Sequence, residues 1–203
     1  MKRSKQMKLV KTFFMTCLIV IAAAPLWAQN NQRFRNGGRN CRSNCPLSQT
    51  SFAAQPLSAE ETNHLLYIRE EEKLARDIYQ ALYSRWNVRI FSRIAASEQR
   101  HFDAVGTLIN RYGLPDPAQP ATGVFVNSDL QKLFDDLLAK GNISLLDALQ
   151  VGVAIEETDI DDLKAAIAET DNRDILTVYG NLLNGSLNHL SAFNSHIETS
   201  SAN

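Results

Sequence analysis

Apolar residues recur every three or four positions in four long stretches of this chain, the spacing that places them on one face of an α-helix. These stretches cover residues 65–86, 91–112, 146–167 and 175–196. No stretch alternates apolar and polar residues over a convincing length, as a half-buried strand would. The pattern therefore predicts an all-α fold.

Turn and capping residues divide the chain into helices. Ser58 and Glu61 form a capping box, which predicts a helix from about Ala59 to Trp86. A tight turn follows, and the next helix should run over 89–112 until glycine and proline stop it.

The connection to the third long helix spans roughly 30 residues, and a link of that length in a compact domain usually contains structure of its own. Asn127 or Ser128 caps a short helix there that ends at Gly141, and Ser144 with Asp147 begins the third long helix. Tight turns join the helices within each pair. Four long helices with one long crossover are the arrangement of a ferritin-like four-helix bundle.

Residues 1–28 have the order of a secretory signal peptide: basic positions, an apolar run and a small residue, before a polar segment that begins at Gln29. The apolar run is shorter than the ~20 residues that a membrane helix needs. We therefore expect export to a periplasm or to the exterior, with no stable membrane span in the mature chain. Residues 29–57 are predicted to be a flexible polar linker, 58–198 the bundle and 199–203 a tail.

Cys41 and Cys45 lie in the predicted linker. In an oxidising compartment two thiols this close favour a local disulfide or a cross-link between chains. A metal site is the weaker interpretation, because no second cysteine pair is present.

The charge of the predicted bundle narrows the choice of partners. Residues 60–203 hold 12 basic against 22 acidic side chains. Such an acidic domain repels nucleic acid and is compatible with cations. We therefore expect metal ions as partners and no nucleic acid.

Each of the four apolar stripes is interrupted near its middle by an acid or a histidine: Glu72, then Glu98 and His101, then Glu156, then His189. Burying one unpaired carboxylate costs several kcal/mol, so one interruption could be accidental but four at similar depth indicate a shared ligand. Carboxylate and imidazole donors suit iron or manganese, with zinc as an alternative. Because a carboxylate can bridge two cations, we expect two ions of non-haem iron.

Each of these residues also has a less specific interpretation. Glu72 belongs to an acidic run over residues 70–72, and charge runs usually form solvated faces, although only Glu72 falls on the apolar stripe. Asp159, a further candidate ligand, lies in an acidic run that could be solvated helix. His189 alone is as often a core histidine as a ligand. Tyr79 is expected to pack in the core with its hydroxyl bonded to a ligand carboxylate.

The chain resembles the bacterial and archaeal ferritin-like family called domain of unknown function 2202. The matching pieces are AASEQRH at 95–101, RYGLP at 111–115, VGVAIEETDI at 151–160 and GSLNHL at 185–190. Glu72 with Tyr79, followed by Glu98-x-x-His101, is also similar to the first half of ferritin and rubrerythrin sites. The resemblance implies a ferritin-like fold and a dinuclear metal-binding motif, and no established reaction.

One position departs from the ferritin and rubrerythrin pattern. The fourth helix has Ser186-x-x-His189 where that pattern has Glu-x-x-His. A serine does not replace a carboxylate on a hard cation, and Asp159, three residues after Glu156, is the candidate to compensate. Without compensation, the second metal position is weaker or only one metal binds.

Three functions compete at this point. The leading one is oxidation of Fe(II) by O₂ or peroxide at a di-iron centre, which would make the protein a ferroxidase-like oxidoreductase. The second is a non-enzymatic module that sequesters or delivers metal. The third is a structural or interaction bundle without metal, which Ser186 favours. For the second function, a ferritin cage would require many copies of the chain to assemble, and the sequence has no signature of such a homo-oligomer.

Overall fold

A computed structural model describes residues 56–201 of the chain. Within that range all regular structure is α-helical, and no strand occurs. The predicted all-helical class is therefore confirmed. The five helices are α1 (Ala59–Trp86), α2 (Arg89–Arg111), α3 (Ser128–Gly141), α4 (Leu145–Ala168) and α5 (Arg173–Ser201).

The helix ends follow the predicted capping residues. Before α1, the Ser58 hydroxyl accepts the Glu61 N–H at 3.0 Å, and the Glu61 carboxylate accepts the Ser58 N–H at 2.8 Å. Asn127 caps α3 and Ser144 caps α4 through their side chains. At the other end of α1, Asn87 takes the left-handed conformation with φ of 53°, which turns the chain sharply into α2.

The four long helices form a bundle in which each contacts two others. Helix α1 packs on α2 and α4, and α5 packs on α4 and α2. The short helix α3 lies in the long connection and packs on α1 and α4. The expectation that this connection contains its own helix is confirmed.

A polar layer divides the bundle interior into two apolar clusters. One cluster includes Leu74, Ile94, Ile155 and Phe193, and the other includes Leu65, Val105, Leu163 and Leu182. On every long helix the interrupting residues lie between positions of the first cluster and positions of the second. The acids and imidazoles consequently come from four helices into one layer, with apolar packing on both sides of it.

The crossover is attached to the outward side of α1 by charged residues of that helix. Glu70 accepts the backbone N–H groups of Val126 and Asn127 at 2.6 and 3.0 Å. Lys73 and Asp77, both 1% exposed, pair at 2.7 Å beneath the same segment. The interpretation of Glu70 as part of a solvated face is therefore wrong, because the crossover covers this side of α1.

Some predictions concern residues outside the described range. These are the signal peptide, Cys41 and Cys45, and all of the linker except its last two residues. Helix α5 continues to Ser201, beyond the boundary at 198 that we expected for the bundle. Among the described helices, none combines the length and apolar character that crossing a bilayer requires.

Candidate metal centre

Glu98 lies at the centre of the polar layer and faces one histidine with each of its two oxygens. Its Oε2 is 2.8 Å from Nδ1 of His101, one turn further along α2. Its Oε1 is 2.8 Å from Nδ1 of His189, which comes from α5. The two imidazole rings are roughly parallel, with centroids 5.6 Å apart and an interplanar angle of 25°.

A second carboxylate lies beside each histidine. Oε2 of Glu72 on α1 is 3.4 Å from Nδ1 of His101, and Oε2 of Glu156 on α4 is 3.4 Å from Nδ1 of His189. Two potential ligand groups result, each with one outer carboxylate, one imidazole and a share of Glu98. Within each group the donor atoms lie no more than 4.8 Å apart.

The contacts in this layer have the spacing of ligands around a cation. Two ligand atoms that bind one cation at right angles, each at about 2.1 Å, lie about 3.0 Å apart. This value falls between the observed distances from the histidine Nδ1 atoms to the carboxylate oxygens, which are 2.8 and 3.4 Å. Despite the short distances, Nδ1 of His101 and of His189 has no hydrogen-bond partner, and neither has Oε1 of Glu72 or of Glu98. Buried polar atoms normally have hydrogen-bond partners, so a metal ion bound in this layer would supply the partner that these nitrogen and oxygen atoms lack.

Burial and mutual interaction shift the pKa values of these groups in opposite directions. Burial alone raises the pKa of Glu98, but contact with His101 and His189 outweighs burial and lowers it to about 2. Burial raises the pKa of Glu156 to about 8, with the Glu98 charge adding to the rise. Burial, together with the charges of Asp159 and Glu98, raises the pKa of Glu72 well above its usual value. A cation bound in this layer would therefore stabilise the ionised form of the Glu72 and Glu156 carboxyl groups.

Two glycines leave space for rings in and beside the centre, those of His101 and Phe193. A Cβ at Gly185 on α5 would lie 2.6 Å from both Cε1 and Nε2 of His101, so only glycine fits beside this ring. A Cβ at Gly152 on α4 would lie 2.5 Å from Cε1 of Phe193. That phenylalanine also packs against Tyr79, with ring centroids 5.4 Å apart.

Tyr79 connects the apolar cluster to the centre. It is fully buried, and its hydroxyl donates to Oε1 of Glu156 at 2.7 Å. This hydrogen bond occupies the outer oxygen of Glu156 and leaves Oε2 for the inner contact with His189. The structure thus places the Tyr79 hydroxyl on a candidate ligand carboxylate.

Asp159 and Ser186 form a pair next to the centre. Both are buried, and the serine hydroxyl donates to Oδ2 of Asp159 at 2.5 Å. The alternative that Asp159 belongs to a solvated face is therefore wrong. Asp159 belongs to neither of the two ligand groups, and its Oδ1 has no hydrogen-bond partner. Compensation for Ser186 by a direct bond from Asp159 to metal stays a prediction.

Two further acids near the centre were not selected from the sequence. Glu71 is only 4% exposed, and Asp162, one turn after Asp159 on α4, is partly buried. Both lie in acidic runs that indicated solvated helix. The i, i+3 spacing of Asp159 and Asp162 was the available signal, because it places both on one face.

Comparison with known proteins agrees with the resemblance seen in the sequence. The family model described as Uncharacterized protein domain (DUF2202) matches residues 61–203. The chain is 50% identical over 145 residues to Uncharacterized protein MJ0754 of Methanocaldococcus jannaschii, across 71% of this chain and 78% of that protein. This chain belongs to the DUF2202 family.

Two solved structures resemble this one. The crystal structure of hypothetical protein MJ0754 from Methanococcus jannaschii matches with a TM-score of 0.73 at 47% identity, over 75% of this chain and 87% of that chain. The crystal structure of a DUF305 fragment from Deinococcus radiodurans matches with a TM-score of 0.57 at 10% identity, over 71% of this chain and 99% of that one. The second likeness concerns the fold alone.

Proposed function

We propose that this protein is a ferritin-like bundle that binds two non-haem iron ions and promotes oxidation of Fe(II) by O₂ or peroxide. The observation that carries the proposal is the bridging position of Glu98 between two equivalent groups. One contains Glu72 and His101, and the other contains Glu156 and His189. Manganese and zinc are the alternative occupants, because the same donor types serve them.

The order of the helices supports the ferritin-like assignment. Short turns join α1 to α2 and α4 to α5, while the long connection with α3 joins the two pairs. Ligands near the middle of all four long helices are characteristic of di-iron carboxylate bundles. Ser186 remains the one departure from that pattern.

Bound iron would supply the electrons for reduction of O₂ or peroxide. The contribution of the chain is to hold the ligands and to exclude water. Glu98 would hold both ions, Glu72 and Glu156 would complete the two positions, and Tyr79 would orient Glu156 through its hydrogen bond. The apolar clusters above and below the layer restrict access of bulk solvent.

One measurement tests binding and oxidation together. Fe(II) is added to the metal-free protein under anaerobic conditions, bound iron is counted, and O₂ uptake is followed on exposure to air. We expect at least two Fe(II) per chain and O₂ uptake faster than with free Fe(II). Glu98→Gln should lose most of both, whereas Glu157→Gln, which changes the exposed neighbour of Glu156, should retain both. Bound iron without faster O₂ uptake would favour a sequestration module.

A metal-free structural bundle is the second candidate, and one observation favours it. Nδ1 of His189 lies 2.8 Å from Oε1 of Glu98 and 3.4 Å from Oε2 of Glu156. Although burial lowers the pKa of His189, these two carboxylates raise it to about 9. An imidazolium between two carboxylates can hold the layer together without metal. Failure of the protein to bind Fe(II), Mn(II) or Zn(II) would establish this alternative.

We also propose that the protein is exported from the cytoplasm. The basic, apolar and small residues that follow one another over 1–28, with polar residues from Gln29, support export across a membrane. An N-terminal sequence of the mature protein that begins near residue 29 would support it, and an intact N-terminus would contradict it.

A further inference from the structure

Glu71 is a buried acid without a role in the centre described above. It belongs to neither of the two ligand groups around Glu98. It is 4% exposed, and its Oε2 has no hydrogen-bond partner. An orphaned carboxylate oxygen in the interior is costly unless a cation or a proton accompanies it.

The charged groups that act most strongly on Glu71 are themselves carboxylates. In order of strength they are Asp159, Asp162 and Glu72. Glu71 and Asp162 lie within hydrogen-bonding reach of each other, and Oδ2 of Asp162 also has no partner. A third orphaned atom, Oδ1 of Asp159, belongs to the same cluster. Glu71 of α1 and Asp159 and Asp162 of α4 thus each carry one carboxylate oxygen without a hydrogen-bond partner.

This cluster extends from the protein surface toward the centre. Asp162 is partly exposed, Glu71 is buried, and Asp159 is buried against Ser186 of α5. The donor atoms are more widely spaced than those of the two groups around Glu98. Hard divalent cations that keep several of their waters are commonly held by one or two carboxylates, so wider spacing suits a hydrated ion.

We propose that Glu71 and Asp162, with Asp159 behind them, bind one hydrated divalent cation beside the dinuclear centre. The ligand class is a hard cation such as Mn(II), Fe(II) or Mg(II), which prefers carboxylate and water oxygens. The site shares no residue with the two groups around Glu98 and so goes beyond the proposed function. Its position between solvent and the centre suits an ion that is about to enter.

Counting bound Mn(II) tests the site, with the signal of free Mn(II) in electron paramagnetic resonance as the readout. The metal-free, full-length protein is titrated with Mn(II) at a fixed pH. We expect three ions per chain for the unchanged protein and two for both Glu71→Gln and Asp162→Asn. Asp161→Asn is the matched control: it removes the same charge from the adjacent, exposed position and should retain three.

A Glu98→Gln variant separates this proposal from that of the dinuclear centre. If both are correct, Glu98→Gln retains the ion that Glu71→Gln loses. If the unchanged protein and Glu71→Gln bind equal numbers of Mn(II), the third site is refuted, and a proton shared between the carboxylates satisfies them instead. If Glu98→Gln binds as many ions as the unchanged protein, the dinuclear proposal fails and the third site is judged on its own variants. Asp162 is partly exposed, so Asp162→Asn keeps the test valid should Glu71→Gln not fold.

Discussion

Gly185 of α5 lies directly against the imidazole of His101 of α2. A Cβ at position 185 would be 2.6 Å from Cε1 and Nε2 of that ring, closer than real Cβ contacts occur. The approach of these two helices at the level of the centre therefore depends on the absence of a side chain. Gly185, which has no side chain, thus determines how much room the candidate ligand His101 has.

Gly185→Ala should lower both stability and metal binding. Alanine is the better helix former, but the methyl group must displace the His101 ring, and overpacking of this kind costs about 1–3 kcal/mol. Gly180→Ala on the same helix is the control, because its Cβ would meet nothing within 4 Å. We expect that control to gain about 0.5–1 kcal/mol in denaturant unfolding. Equal gains in both variants would contradict the packing described here.

Tyr79→Phe should weaken metal binding and also lower the stability of the fold. It removes the donor to Oε1 of Glu156, and loss of an outer hydrogen bond to a ligand typically costs 10–100-fold in metal affinity. The unsatisfied oxygen should also reduce the free energy of unfolding by about 1–3 kcal/mol. Tyr83→Phe, at a more exposed position on the same helix, controls for loss of a hydroxyl. Unchanged affinity in Tyr79→Phe would remove this residue from the site.

The metal-free protein should lose stability as the pH rises from about 5 to 9. Burial raises the pKa of Glu156 from 4.5 to about 8 and that of Asp159 from 3.8 to about 7. The folded state then binds more protons than the unfolded state, so the stabilisation is complete below the unfolded pKa and is lost as pH rises through the folded one. His189, raised from 6.5 to about 9, acts in the same direction.

Denaturant unfolding of the metal-free protein at several pH values measures this dependence. Glu156→Gln should flatten the slope, because it removes one of the titrating groups. Metal affinity should rise over the same interval, since binding displaces the protons. A free energy of unfolding that is constant or increases between pH 5 and 9 would show that these carboxyls are not protonated in the folded state.

Asp77→Asn should destabilise the attachment of the crossover. Asp77 and Lys73 are each 1% exposed, and Asp77 also accepts the N–H of Gly123 at 2.9 Å. Removing one charge of a buried pair costs about 3–5 kcal/mol, because the other charge stays buried. Asp136→Asn breaks an exposed pair with Lys132 and should cost at most about 1 kcal/mol. Similar losses from both variants would mean that the crossover is held by other contacts.

Local signals in the sequence were sufficient for the helices and for the inner ligands. The capping residues Ser58 and Ser144 mark helix starts because their side chains satisfy free N–H groups of the first turn. Glu98 and His101 could be chosen because an apolar stripe fixes which face of α2 is buried. The same argument selected Glu72, which the structure places in one ligand group.

The remaining features depend on contacts between distant parts of the chain. Glu70 and Glu71 lie off the apolar stripe of α1, so helical periodicity assigns them to solvent. Glu70 is buried by the crossover and Glu71 by α4, and neither contact has a signature in the local sequence. The bond from Ser186 to Asp159 likewise joins positions 27 residues apart.

Anomalous diffraction at the iron absorption edge can locate iron in crystals of the protein loaded with Fe(II) without oxygen. We expect two peaks in the Glu98 layer, one on each side of that carboxylate, with His101 and Glu72 beside the first and His189 and Glu156 beside the second. Absence of peaks from this layer in protein that retains its fold, or a single peak that Glu98 does not contact, would rule out the dinuclear centre.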